Sequence, residues 1–282
     1  MGAVRQSASV QNLILYISVF DKYAPRPEWQ RGAGKLDQMT LTMLLVAAGG
    51  FVAGGLVKGT TGMGLPLVAV PFATLVVPVP VAVALMTVPI LLTNLWQGRG
   101  WRVVIRRVWP LLAVQPFAMV AGVAVLAWAN PKIVTGMLGV LTILFVVLVR
   151  YQPHWRMTPP HERWVAPLMG VCSGFSGGVS SFFGTPIALY LFLLKLEKDA
   201  FVAAIGVTYA FGATSLLIIL WAFGLLGQQL LFWSALATPV AFFGMWLGRM
   251  VRDRLNTETF RRVVLIVLFV AGLNLIRRAV MG

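Results

Sequence analysis

Acidic side chains are scarce in this chain: Asp and Glu together number 8 in 282 residues. Charged residues of all kinds make up 11%, against about 25% in an ordinary soluble domain. With so little polar material the chain cannot cover a water-facing surface, which excludes a typical soluble enzyme and a disordered protein. Cys172 is the only cysteine, so there is no intrachain disulfide framework and no four-cysteine metal site. Histidine is nearly absent too: His154 and His161 stand close together between two apolar runs. No His-Glu-x-x-His zinc site and no Gly-x-x-x-x-Gly-Lys phosphate loop occurs, so a metalloprotease and a self-powered ATPase are excluded, and no cofactor is expected.

What is plentiful is apolar: 59% of the residues are hydrophobic. The fold class this implies is an all-α polytopic membrane protein. The net charge of +15 comes from Lys and Arg, which crowd the cytoplasmic loops of such proteins, and not from a nucleic-acid surface. Ten apolar segments are candidates for crossing or entering the bilayer: 41–57, 63–79, 81–97, 108–128, 133–149, 164–178, 182–194, 200–223, 229–248 and 260–279. A spanning helix needs about 20 apolar residues. Segment 63–79 contains Pro66, Pro71 and Pro78, and 182–194 contains Pro186. Proline removes a helix hydrogen bond, and freed backbone groups survive at membrane depth only under protein or in a cavity. These two segments therefore read as broken or re-entrant helices.

Residues 1–38 differ from the rest. They hold three acids and a Pro-containing run, and Met39 stands just before the first long apolar segment. A poorly ordered tail, or a start at Met39 or Met43, is expected, with no cleavable signal peptide. If all ten segments cross, the connections on one side hold Lys58; Arg99, Arg102, Arg106, Arg107; Arg150, Arg156, Arg163; Lys195, Lys198; and Arg249, Arg252, Arg254, Arg261, Arg262. The other side holds only Lys132. The positive-inside rule then puts both termini outside.

The chain also repeats itself. At an offset of 120 residues Gly50 meets Gly170, Gly54 meets Gly174, Thr60-Thr61 meets Ser180-Ser181, Gly64 meets Gly184 and Pro66 meets Pro186. Later the offset drifts: Ala118-x-x-x-Gly122 parallels Gly244-x-x-x-Gly248. Two units of five segments each are inverted with respect to one another, residues 39–150 and 164–282, joined by a cytoplasmic linker at 151–163. Inverted repeats with discontinuous helices are a transporter architecture. Gly122, Gly244 and Gly248 read better as close-packing positions.

The runs Gly54-Gly-Leu-Val-Lys-Gly-Thr-Thr-Gly-Met-Gly-Leu-Pro and Gly174-Phe-Ser-Gly-Gly-Val-Ser-Ser-Phe-Phe-Gly-Thr-Pro resemble the duplicated glycine-rich signature of the TauE/SafE sulfite exporter family. The resemblance covers roughly residues 41–280. It implies a multi-pass permease of the bacterial inner membrane for small sulfur-containing or organic anions, such as sulfite or sulfoacetate, with export the expected direction. The family's usual pattern of successive glycines is altered here: Met63 separates Gly62 from Gly64, and Phe182-Phe183 precede Gly184.

The motif suits an anion physically. A helix N-terminus offers unpaired N–H groups and about half a positive charge. One central site is expected from Thr60, Thr61, Gly62, Gly64, Ser180, Ser181, Gly184 and Thr185, unless the hydroxyls only cap their helices. Lys58 reads as an ordinary inner-loop cation that could also attract the anion. Asn94, Thr208 and Tyr209 are polar groups in apolar runs that could line a pathway, as could Thr87 and Gln97; each alone is more often an interhelical hydrogen bond. No carboxylate or histidine falls inside a segment to relay protons, so a uniport-like permease driven by the membrane potential is expected. Its partners are a small anionic substrate and the lipid bilayer, with no nucleic acid; a homo-oligomer is left open. Competing readings are a proton-coupled carrier of another metabolite and a non-transporting membrane subunit. Gly174-Phe-Ser176-Gly177 matches a serine-nucleophile pattern, but no histidine follows residue 161 to act as its base.

Overall fold

The computed structural model describes residues 41–98, 104–151, 159–194, 196, 198–252 and 257–281; the expectation for residues 1–38 lies outside them. The described residues are helical, with no strand among them. In chain order the helices are α1 (Leu41–Thr61), α2 (Leu65–Ala73), α3 (Val79–Leu85), α4 (Thr87–Gln97), α5 (Ile105–Trp128), α6 (Pro131–Tyr151), α7 (Pro159–Ser180), α8 (Gly184–Leu193), α9 (Lys198–Ala222), α10 (Gln228–Arg252) and α11 (Thr257–Met281). Among the described residues five spans are long and apolar enough to cross a membrane: Leu41–Thr61, Val79–Gln97, Ile105–Trp128, Ala203–Ala222 and Gln228–Met250. At 1.5 Å per residue the nine residues of α2 reach only about 13 Å, less than half of a ~30 Å hydrocarbon core.

Helix α1 runs beyond the expected end at 57, carrying Lys58 inside it. Nothing stops it earlier. Thr60 and Thr61 stay helical by donating their hydroxyls back to the Val57 carbonyl, each at 2.8 Å. The chain then turns through Gly62 and Gly64, both at positive φ, which glycine adopts without a Cβ penalty. Helix α2 folds back along α1, with Ala69 against Gly54 and Phe72 against Gly50. Helix α7 ends in the same way at Ser180. Gly62 N–H donates to Lys58 O, and Ser181 N–H to Gly177 O, each at 2.8 Å; Ser181 is the one described non-glycine residue at positive φ. These matching turns lie 119 residues apart, one fewer than the offset of 120 read from the sequence. Ser181 stands where Gly62 does, and Lys58 matches Gly177.

The expected segment 81–97 is interrupted at Met86. Pro89 has no N–H for the Leu85 carbonyl. Ser234 of α10 supplies the missing donor at 2.9 Å and accepts from Val88 N at 3.1 Å.

Four helix pairings organise the bundle: α10 along α1, α7 along α5, α11 along α6 and α9 along α4. The first two are backbone-to-backbone crossings. A Cβ on Gly59 would run into the Met245 carbonyl, and one on Gly248 into that of Leu56. In the second crossing, Gly178 meets the Met119 carbonyl and Gly122 that of Phe175. The close-packing reading of Gly122, Gly244 and Gly248 holds. Outward faces carry large apolar side chains, including Phe117, Trp221 and Trp246. On α5 the exposed Trp109 and Trp128 stand about 28 Å apart along the helix, the spacing of two aromatic belts across a hydrocarbon core.

Candidate functional site

The interior of the bundle holds a cation. Lys58 is 2% exposed, which corrects its reading as an inner-loop residue. Its Nζ donates to Asn94 Oδ1 of α4 at 2.6 Å and lies 6.0 Å from the centre of the Tyr209 ring of α9. Asn94 is held in turn by its Nδ2, which donates to the Ile90 carbonyl at 2.7 Å. No carboxylate reaches Lys58 among the described residues; their one salt bridge joins Arg107 to Glu162 at 3.0 Å. An ammonium has three N–H donors, and Asn94 is the one hydrogen-bond acceptor near this one among the described residues.

Tyr209 links this cation to the second helix break. Its ring meets Phe183 edge-on, with centroids 5.4 Å apart. Its hydroxyl stands against Gly184, where a Cβ would collide with it. That hydroxyl is buried without a hydrogen-bond partner. Phe182 shares a buried cluster with Val57, Leu67 and Val68, so the second break packs on the elements that flank the first. Gln115 of α5 is fully buried, and neither its Oε1 nor its Nε2 has a partner. It borders Gly212 of α9, as does the Phe183 ring. Sequence reasoning missed Gln115, although it is a lone amide in an apolar run, the same signal that singled out Asn94.

The hydroxyls of the two breaks are arranged differently from the expectation. They sit at the C-terminal ends of α1 and α7, not as caps of the following helices; α2 starts on Gly64 with no side-chain cap. Each already donates to a carbonyl: Thr60 and Thr61 to Val57 O, Ser180 to Ser176 O at 2.7 Å, and Ser181 to Val83 O of α3 at 3.0 Å. Thr208 donates to Ala204 O at 2.7 Å within α9. The side chain of Thr185 lies outside the described residues. Thr87 approaches Ser234 at 3.5 Å across two helices. Ser176 lies inside α7 and donates to the Cys172 carbonyl at 2.8 Å, a helix-internal bond that leaves no activated nucleophile.

The family model described as Sulfite exporter TauE/SafE matches residues 46–275. The chain belongs to this family. The match takes in both helix breaks, Lys58, Asn94, Gln115 and Tyr209. No curated protein and no solved structure matches the chain. Membership in a family of exporters, together with apolar spanning helices, makes this a multi-pass membrane protein of the transporter class.

The two ends of the TauE/SafE bundle are closed by different contacts. At one, the Arg107 guanidinium forks onto Glu162 at 3.0 and 3.2 Å, and Tyr190 donates to the Arg107 carbonyl at 2.9 Å. This ties α5, α7 and α8 together. At the other, Trp128 packs on Phe223, with centroids 5.3 Å apart, and Arg278 donates to the Thr74 carbonyl at 3.0 Å. A surface cleft of about 510 Å³ opens there, bordered by Thr74, Lys132, Thr135 and Arg278.

Proposed function

We propose that this protein is a permease for small sulfur-containing or organic anions, of the size and charge of sulfite or sulfoacetate, and that Lys58 is the positive charge the anion meets inside the membrane. The observation that carries this is the burial of Lys58 against a neutral amide with no carboxylate beside it among the described residues. A buried charge left unpaired is expensive, and in a membrane protein an ionisable group at depth marks a substrate path by default. An anion balances this charge; a cation does not. Asn94 fixes the ammonium. Tyr209 Oη, beside Gly184, and the Gln115 amide, beside Gly212, are unpartnered donors, and a hydroxyl or amide proton left free in a buried site is what an oxyanion takes up. Gly184 gives the Tyr209 hydroxyl its room. Gly62, Gly64 and Ser181 shape the two breaks, and Thr60, Thr61, Ser180 and Ser181 satisfy carbonyls around them, so that the anion faces donors.

The pairing pattern supports two inverted five-segment repeats. Matching α1 with α7 and α5 with α10 turns the α1–α10 crossing into the α7–α5 crossing, as a two-fold axis in the membrane plane requires. On this reading α2 and α8 are re-entrant, the substrate site lies where the repeats meet, the ends of the bundle alternate in opening, and export from the bacterial cytoplasm is the physiological direction. The test is sulfite flux in proteoliposomes. Wild-type protein gives a saturable flux, Lys58→Met lowers it to that of protein-free liposomes, and Arg277→Gln, the loss of an exposed cation, leaves it intact. Equal flux in Lys58→Met and wild type would refute the assignment of Lys58.

A further inference from the structure

We infer that Lys58 carries one proton across with each anion, making this permease a proton–anion symporter; the inference rests on the anion site just described. The carboxylates and the histidine carried by the helices, His161, Glu162, Asp199 and Glu258, all stand in the first turns of α7, α9 and α11, whereas Lys58 is a buried amine. Lys58 is 2% exposed, and the groups that surround it decide what states it can occupy. From α4 it meets Asn94, which is neutral. From α9 it meets Tyr209, a neutral phenol whose hydroxyl has no partner. Helices α2 and α4 contain no titratable side chain, and Arg249 on α10 is exposed. Nothing described balances a permanent positive charge.

Two states of Lys58 avoid an unpaired buried charge. In one, the ammonium has an anion on it. In the other, the site is empty and the nitrogen is a neutral amine. Asn94 serves both, because Oδ1 is an acceptor and an amine still has N–H groups to donate. The cycle then balances. An anion and a proton enter from one side, the proton on Nζ and the anion against it. Both leave on the other side, and the empty neutral site returns. A monovalent anion moves with no net charge, so the membrane potential does not drive it. The direction follows the anion and proton gradients together, and a tenfold anion ratio balances about one pH unit. This replaces the potential-driven uniport expected from the sequence.

The test measures flux of sulfite, and of methanesulfonate because it holds no titratable proton near neutral pH, in proteoliposomes whose voltage is set by a potassium gradient and valinomycin. Symport predicts a flux that ignores the imposed voltage, follows an imposed pH difference and alkalinises the side from which methanesulfonate departs. A flux that follows voltage and ignores pH would overturn the inference and leave the anion permease standing. No flux of either anion, from protein shown folded by its melting transition, would overturn both. Lys58→Arg separates the proton from the charge, since arginine keeps its proton. It is expected to retain exchange of anion for anion while net flux falls at least tenfold. Net, pH-driven flux at the wild-type rate in Lys58→Arg would also overturn the inference.

Discussion

Replacing Gly59 by alanine tests the α1–α10 crossing at its tightest point. The added Cβ would enter the Met245 carbonyl and stand 3.0 Å from the Gly248 Cα, where carbon atoms normally keep about 3.5–4.0 Å. Neither obstacle is a flexible side chain. The helices must therefore part, and overpacking of this kind costs about 1–3 kcal/mol. Alanine also returns about 0.5–1 kcal/mol by stiffening the unfolded chain. The net expectation is a loss of about 1–2 kcal/mol. Gly49→Ala on the same helix supplies the control: nothing lies within 4 Å of its Cβ, so only the gain of about 0.5–1 kcal/mol applies. The two variants move in opposite directions and differ by roughly 2 kcal/mol, which for a chain of this size is several degrees in Tm. Thermal unfolding of detergent-solubilised protein, followed by loss of the monodisperse peak on size exclusion, measures both. A Gly59→Ala protein as stable as Gly49→Ala would refute the backbone-to-backbone crossing.

Other variants test the polar contacts. Ser234→Ala leaves the Leu85 carbonyl and the Val88 N–H without partners, and should lower stability by about 1–3 kcal/mol in the same unfolding assay; an unchanged Tm would mean that the α3–α4 break is satisfied in another way. Ser181 combines positive φ with a hydrogen bond to Val83. Ser181→Gly should be about 1 kcal/mol more stable than Ser181→Ala, because glycine sheds the left-handed strain that alanine keeps. Tyr209→Phe removes a buried hydroxyl that has no partner. It should leave Tm unchanged or raise it while weakening anion binding several-fold in a calorimetric titration with sulfite; a fall in Tm with unchanged affinity would make Tyr209 a packing residue.

Much of this architecture could be read before any coordinates, because membrane helices announce themselves by apolar length and prolines mark where they break. Pro66 and Pro186 flag the short α2 and α8 in this way. Pro89 sends the same signal at the α3–α4 break, but its neighbours are apolar enough to hide the interruption. The two matching turns were legible to within one residue: an ungapped alignment favours identical letters, whereas the backbone aligns Gly62 with Ser181 by conformation. Lys58 was the hardest to place. Its sequence neighbours look like a loop of small and hydroxyl residues at the end of an apolar run. Only the tertiary packing of α4 and α9 shows that its partner, Asn94, is 36 positions away. The threonines misled for a related reason, since a hydroxyl before a turn reads as the cap of the next helix, and here it bonds backward into its own.

The most direct test of Lys58 as the anion's partner is a structure of the protein soaked with selenite, a heavier stand-in for sulfite whose selenium can be located by anomalous scattering. The account predicts a selenium peak with an oxyanion within hydrogen-bonding distance of Lys58 Nζ, bordered by Tyr209 and Gly184, and no such peak in Lys58→Met. Selenium found instead only in the cleft of Lys132 and Arg278, with Lys58 still bonded to Asn94 and bare of anion, would contradict it.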